Sequence, residues 1–353
     1  MEERKIRVAI KHGDTNGIGY EIILKAFENP TMLELCTPII YGSPKAATYH
    51  RNALQIETPF SIITNAEEAR EGKLNMLASF DDEVKVEFGT PTPESAEAAR
   101  KALQRAKEDL KAGLYDVLVQ APVVSSNTPD REDRSLTIMF SDKIRIALVT
   151  NHLPIKEVAQ SITQESIFAK ATLFHTSLKR DFRIQNPRIA ILALNPQIGT
   201  EETEIIKPAQ EALEKGGIQA YGPFTADEFF GNDLQQSFDG ILAMYDDQGN
   251  VPFKTLSTEY GVKTKTGFPF VITTPDQDPS FDIAGKGLAD PASLRHAIYA
   301  AIDFFRHRID YDEPMANPLP KLFHEKREDG EKARFSVSKA KQQPAKPEEA
   351  ETE

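Results

Sequence analysis

Apolar and polar side chains alternate over Ile6-Arg7-Val8-Ala9-Ile10, a period of two that predicts a strand. A glycine-rich stretch follows, Gly13-Asp14-Thr15-Asn16-Gly17-Ile18-Gly19, and residues 21–27 then read as a helix. Pro38-Ile39-Ile40-Tyr41-Gly42 predicts a second strand. Ser43-Pro44 marks a helix start, because proline at the first helical position has no N–H to leave unbonded. A long helix is expected over 93–112, between Thr92-Pro93-Glu94 and Gly113. Buried strands are expected at 116–120, 145–150, 188–194 and 240–244. Helical segments at 155–161, 164–182 and 204–216 separate most of them. This alternation predicts an α/β fold with a largely parallel sheet covered on both faces.

The pattern stops after about residue 320. Residues 325–353 are Lys, Glu, Ala, Gln and Pro, nearly without apolar side chains, so 321–353 is expected to be a disordered tail.

Composition narrows the classes. The chain has 353 residues, 40% hydrophobic and 27% charged, enough for one large globular domain or two. A net charge of -12 argues against a general nucleic-acid binder, which needs clustered Lys and Arg. The single cysteine, Cys36, excludes an intrachain disulfide and accords with a reducing compartment. No apolar stretch of signal-peptide or membrane-spanning kind is present, so a cytoplasmic protein without membrane contact is expected.

Ligands of open α/β sheets sit beyond the carboxyl ends of strands. After the first strand, Gly17 and Gly19 permit close backbone approach and precede a helix N-terminus, making them candidate cofactor-binding residues. Their spacing is not GxGxxG, and a tight turn alone is the alternative. Three later strand ends carry Asn151-His152-Leu153-Pro154, Asn195-Pro196-Gln197 and Tyr245-Asp246-Asp247-Gln248-Gly249, with Lys254 just beyond. Oxygen donors and one imidazole make a chemically sensible metal site. Capping and turn roles are the alternative for each residue taken singly.

These strand-end motifs resemble the 4-hydroxythreonine-4-phosphate dehydrogenase family of vitamin B6 (pyridoxine) biosynthesis. The resemblance runs from about Ile6 to Pro318. It is carried by Gly-Asp-Thr-Asn-Gly-Ile-Gly at 13–19, Thr-Asn-His-Leu-Pro at 150–154, Leu-Asn-Pro at 194–196 and Gly-Thr-Glu-Glu at 199–202. Further matches are Leu-Ala-Met-Tyr at 242–245, Asp-Gln-Gly at 247–249, Lys254, Gly-Phe-Pro-Phe at 267–270 and Ala-Gly-Lys-Gly at 284–287.

The resemblance implies an isocitrate/isopropylmalate dehydrogenase-like fold, two α/β/α domains with a cleft between them. The first domain would span 1–118 plus about 282–320. The second, 119–281, would carry the metal and substrate site and the dimer contacts. It also implies a homodimer sharing its metal site, and NAD- or NADP-dependent oxidation of a small phosphorylated substrate, 4-phosphooxy-L-threonine, with decarboxylation. The implied metal is divalent: Zn, Mg or Mn.

Carried over residue by residue, the three metal positions are His152, Gln197 and Asp246, the last two replacing histidines. Lys254 and Asp247 are the catalytic candidates. Lys254 also falls at a substrate position, as does Lys263, which replaces an asparagine; Ile272 replaces a substrate-binding arginine. The Gly-His-Thr-Glu substrate motif has no counterpart in the short stretch Val123 to Ile138, and the loop after Gln197 is cut. Asp-His-Gly-Thr-Ala becomes Asp276-Gln277-Asp278-Pro279-Ser280. Two further readings therefore stand beside the dehydrogenase: an impaired or inactive relative that keeps fold and dimer as a binding protein, and a dehydrogenase for a related phosphorylated hydroxy acid.

Overall fold

In the computed structural model, residues 4–80, 84–123, 135–257 and 259–316 are described. The expected disordered tail lies outside them, as does most of the shortened stretch after Val123. Met1–Glu313 is one compact unit and carries the whole sheet; Pro314–Glu353 is a second, short unit.

The first half of the chain supplies β1 (Arg7–Lys11), α1 (Gly19–Ala26), α2 (Met32–Leu35), β2 (Thr37–Gly42), α3 (Pro44–Ala53), β3 (Ser61–Ile63), β4 (Asn75–Ala78), α4 (Pro93–Lys111) and β5 (Val117–Gln120). The second half adds β6 (Leu136–Phe140), β7 (Arg145–Leu148), α5 (Ile155–Ser161), α6 (Gln164–Arg180), β8 (Arg188–Leu192), α7 (Lys207–Lys215), β9 (Gln219–Phe224), α8 (Ala226–Gly231), β10 (Gly240–Ala243), α9 (Asp246–Leu256), β11 (Val262–Thr266), β12 (Val271–Pro275) and α10 (Ala292–Ala316).

Local chemistry explains the helix ends. Ser43 caps α3 by accepting the Ala46 N–H, with Pro44 in the first turn. Thr92 and Ser95 form a reciprocal capping box on α4, which ends before Gly113 at φ 70. Ala98, Ala99, Ala102 and Ala106 are the buried stripe of α4, so the helix lies close on the sheet.

The twelve strands make one sheet in the order β3-β4-β2-β1-β5-β12-β11-β6-β7-β10-β8-β9. It is largely parallel, as expected, with three antiparallel pairings. β11 runs antiparallel to both β12 and β6, and β6 runs antiparallel to β7. The register therefore reverses the outer halves. The carboxyl ends of β1, β2 and β5 face one edge of the sheet, and those of β7, β10 and β8 face the other. β11 escapes an apolar reading because Val262-Lys263-Thr264-Lys265-Thr266 carries lysines on one face.

Helices cover one sheet face continuously. α1 and α10 pack over the first half, and α5, α6 and α7 over the second. On the opposite face, α4 packs on Ala9, Ile39, Tyr41 and Leu118, while α9 sets Phe253 on Ile146, Leu148 and Ile241. Between α4 and α9 this face is only half-buried. Gln120, Thr274, Lys263 and Thr137 alternate there with fully buried neighbours. The pairing puts Lys263 beside Thr274 and Met139, and Lys265 beside Thr137. The result is a polar floor crossing β5, β12, β11 and β6.

Candidate active site

β10 lies between β7 and β8, so the three strand ends expected to bear metal donors are adjacent. The loop after β7 turns sharply, with His152 in the left-handed region at φ 56. Its backbone N–H donates to Asp246 Oδ2 at 2.6 Å, joining the end of β7 to the first residue of α9. Asn250 Nδ2 stands 3.4 Å from Asp246 Oδ1. His152 and Gln197 are exposed and Asp246 is half-buried.

The loop after β8 is held by a carboxylate. Glu202, fully buried, accepts the N–H groups of Asn195 at 2.9 Å and Gly199 at 2.8 Å, bracketing Gln197. Burial pushes this carboxyl up, but those N–H groups together with the Asn195 amide hold it below its ordinary range. Glu202 opens a π-helical turn ending at Ile206. Gln248 ties β10 to β8, accepting the Met244 N–H at 2.7 Å and donating to Ala193 O at 2.6 Å. Sequence reasoning used Glu202 and Gln248 only as motif letters; two acids after Asn-Pro and a polar residue inside a buried helix turn were the available signals.

Beside these strand ends is a cavity of about 190 Å³, lined by Thr137, Thr150, Asn151, Ser161, Ser166 and Lys170 among others. Asp247 points elsewhere. It is exposed and lines a groove with Phe230, Tyr245, Val251 and Pro252 between α8 and α9.

The lysines sit at the other end of α9. Eight residues separate Asp246 from Lys254, about 12 Å of helix. Lys254 Nζ is 3.9 Å from Asp278 Oδ2, and Lys263 Nζ is 2.7 Å from Asp276 Oδ1. Ile272 packs against the cluster beneath α4 and offers that cluster its aliphatic side chain.

The glycine turn after β1 does not present itself to a ligand. A Cβ on Gly17 would come within 2.8 Å of Pro279 O, and one on Gly19 within 2.0 Å of His12 O. Ile18 N–H donates to Pro279 O, so the start of α1 is already capped by protein. Asp14 accepts from Asn16 N–H and Ser95 Oγ, while Asn16 donates to Thr90 O. These residues pin the turn to the start of α4. The two glycines therefore serve packing, and this turn does not fit a dinucleotide phosphate. His12 and His50, which flank Tyr20, are buried; burial pulls their imidazoles down to about 3 and about 4.

The residue types at these three strand ends would fit one kind of ion. One carboxylate, one imidazole and one neutral amide match a hydrated Mg²⁺ or Mn²⁺ that keeps water and substrate oxygens among its ligands. They do not match a closed zinc site. Among the described residues no three His, Cys, Asp or Glu side chains form a metal-holding group.

A mixed sheet with reversed halves, a polar floor and ligand-bearing strand ends defines an α/β enzyme scaffold. The profile of the family described as pyridoxal phosphate biosynthetic protein PdxA matches residues 34–301, and the chain belongs to that family. A 4-hydroxythreonine-4-phosphate dehydrogenase of Bacteroides thetaiotaomicron is 49% identical over 96% of this chain and 99% of its own. One from a Sulfurihydrogenibium species is 32% identical over 84% and 98%. The crystal structure of a 4-hydroxythreonine-4-phosphate dehydrogenase from Burkholderia phymatum superposes with a TM-score of 0.66 at 25% identity, covering 86% of this chain and 99% of that one.

Proposed function

We propose that the chain is a dehydrogenase of vitamin B6 biosynthesis that oxidises 4-phosphooxy-L-threonine, or a closely related phosphorylated hydroxy acid. The observation that carries this reading is family membership with 49% identity across nearly the whole chain. NAD or NADP, when bound, would accept the hydride from the carbinol carbon, with release of the hydroxyl proton, and the β-keto acid so formed would lose carbon dioxide. A divalent cation, when bound, stabilises negative charge developing at the alcohol oxygen.

His152, Asp246 and Gln197 would hold that cation. The His152 N–H bond orients the Asp246 carboxylate, and Glu202 fixes the loop that presents Gln197. Lys254 and Lys263 would meet the substrate on the polar floor, in a cleft between residues 1–118 with 282–320 and residues 119–281. Because Lys254 and Asp246 stand at opposite ends of α9, a working site draws them from two subunits of a homodimer. The protein would act in the cytoplasm; no described helix is long and apolar enough to cross a membrane.

NADH or NADPH formation from 4-phosphooxy-L-threonine, with Mg²⁺, Mn²⁺ or Zn²⁺ added in turn, tests the reading. Turnover is expected with Mg²⁺ or Mn²⁺ and should vanish in His152→Ala. The replacements at Gln197 and Ile272 leave a second reading, a non-catalytic binding protein. Calorimetric binding of the same substrate with no turnover under any metal would select it.

A further inference from the structure

The two lysines at substrate positions differ in how they are paired. Lys254 and Asp278 are 54% and 84% exposed and 3.9 Å apart, a solvated contact of little strength. Lys263 and Asp276 are 2.7 Å apart, and the Asp276 side chain is only 7% exposed. Its seat is made by a missing side chain. A Cβ on Gly261 would lie 2.9 Å from Asp276 Cβ and 3.0 Å from the Phe253 ring. The Asp276 N–H also donates to Gly261 O at 2.8 Å, which fixes the end of β12 against the start of β11.

An anion approaching Lys263 therefore meets a carboxylate already in contact with the ammonium. The pair is neutral overall, and an anionic ligand would have to displace Asp276 into the apolar wall formed by Phe253 and Gly261. A hydroxyl or amide group has no such opposition, since it can donate to the carboxylate and accept from the ammonium at once.

We propose that Asp276 is a specificity-determining residue. By neutralising Lys263 it makes this part of the floor a subsite for a neutral hydrogen-bonding group and excludes phosphate or carboxylate from it. The inference rests on the floor being the substrate site, and it deepens that reading.

Binding of inorganic phosphate, followed by isothermal titration without any turnover, tests it separately from the dehydrogenase assay. Asp276→Asn, nearly isosteric and retaining the main-chain bond to Gly261, should bind phosphate about tenfold more tightly than the unaltered chain. The gain should disappear in Asp276→Asn with Lys263→Met. Lys263→Met alone leaves the Asp276 carboxylate uncompensated and should weaken phosphate binding, never tighten it. Unchanged affinity in Asp276→Asn, or a gain that survives loss of Lys263, overturns the proposal. So does unchanged or tighter phosphate binding in Lys263→Met alone, a measurement that decides the matter even if Asp276→Asn fails to fold.

Discussion

His12 and His50 show how burial can fix a protonation state. His12 Nδ1 lies 2.9 Å from Tyr41 O, and His50 Nε2 lies 2.8 Å from Thr15 O. The remaining nitrogen of each ring is buried and unpartnered. Desolvation disfavours the imidazolium, so both stay neutral in the fold down to about pH 4 for His50 and about pH 3 for His12. In the unfolded chain they protonate near their ordinary value of about 6.5. The unfolded state thus binds more protons as pH falls below about 6.5, and stability is lost on that side. Between pH 6 and pH 5 the two together should lower the unfolding free energy by up to about 2.7 kcal/mol per pH unit. Urea unfolding across that interval measures the slope, which should halve in His50→Gln. A flat profile would mean that both rings are already charged in the fold, and half the slope that one is. Neither histidine belonged to any sequence motif of the proposed chemistry. Their neutrality comes from burial, which outweighs the opposing pull of the Tyr41 and Thr15 carbonyls they reach.

At the scale of elements, α10 reaches from the first-half core to the carboxyl end of α6. Arg308 Nε donates to Asp181 Oδ1 at 2.6 Å, and its second nitrogen lies 3.2 Å from Oδ2. Ser177 Oγ donates to Asp181 Oδ2, and Arg308 also reaches Phe268 O at 3.3 Å. Both partners are buried, at 5% and 1% exposure, whereas the nearby pairs Arg180–Asp312 and Arg183–Asp310 are more open. Breaking a buried pair leaves an uncompensated charge. Arg308→Met should therefore cost about 3–5 kcal/mol of stability. Asp181→Leu with Arg308→Met should cost clearly less than the sum of the single changes. A double-mutant cycle by chemical unfolding checks both statements, and additive losses would show that the pair is not coupled. This contact was invisible beforehand, because 127 positions separate its members.

Across the whole molecule, strand direction decides which residues can share a site. The donors after β7, β8 and β10 gather on one edge, while Asp276, Lys254 and the turn after β1 lie toward the other. If two subunits complete each site, Asp246→Asn and Lys254→Met should each be inactive alone. Co-expression of the two variants should then restore about a quarter of the unaltered activity, because about half of the dimers are mixed and each of those keeps one of its two sites. No recovery on co-expression, with dimers confirmed by sedimentation, would place both residues in a single-chain site.

The sequence by itself determined the local elements. An alternating run located β1, short apolar runs located β2, β5, β7, β8 and β10, and the caps Ser43 and Thr92 set α3 and α4, because hydrophobic spacing and capping bonds act within a few residues. It also determined the family, through motif words in order along most of the chain. What the tertiary structure decided was direction and company. The strands β6, β11 and β12 add three antiparallel pairings that divide the largely parallel sheet into two opposed halves. Gly17 and Gly19, candidates for a cofactor, are filled by Pro279 and His12. Lys263, a candidate for substrate, is claimed by Asp276. Each of these outcomes depends on a partner remote along the chain or on a strand of opposite direction, and neither local spacing nor residue type carries that information.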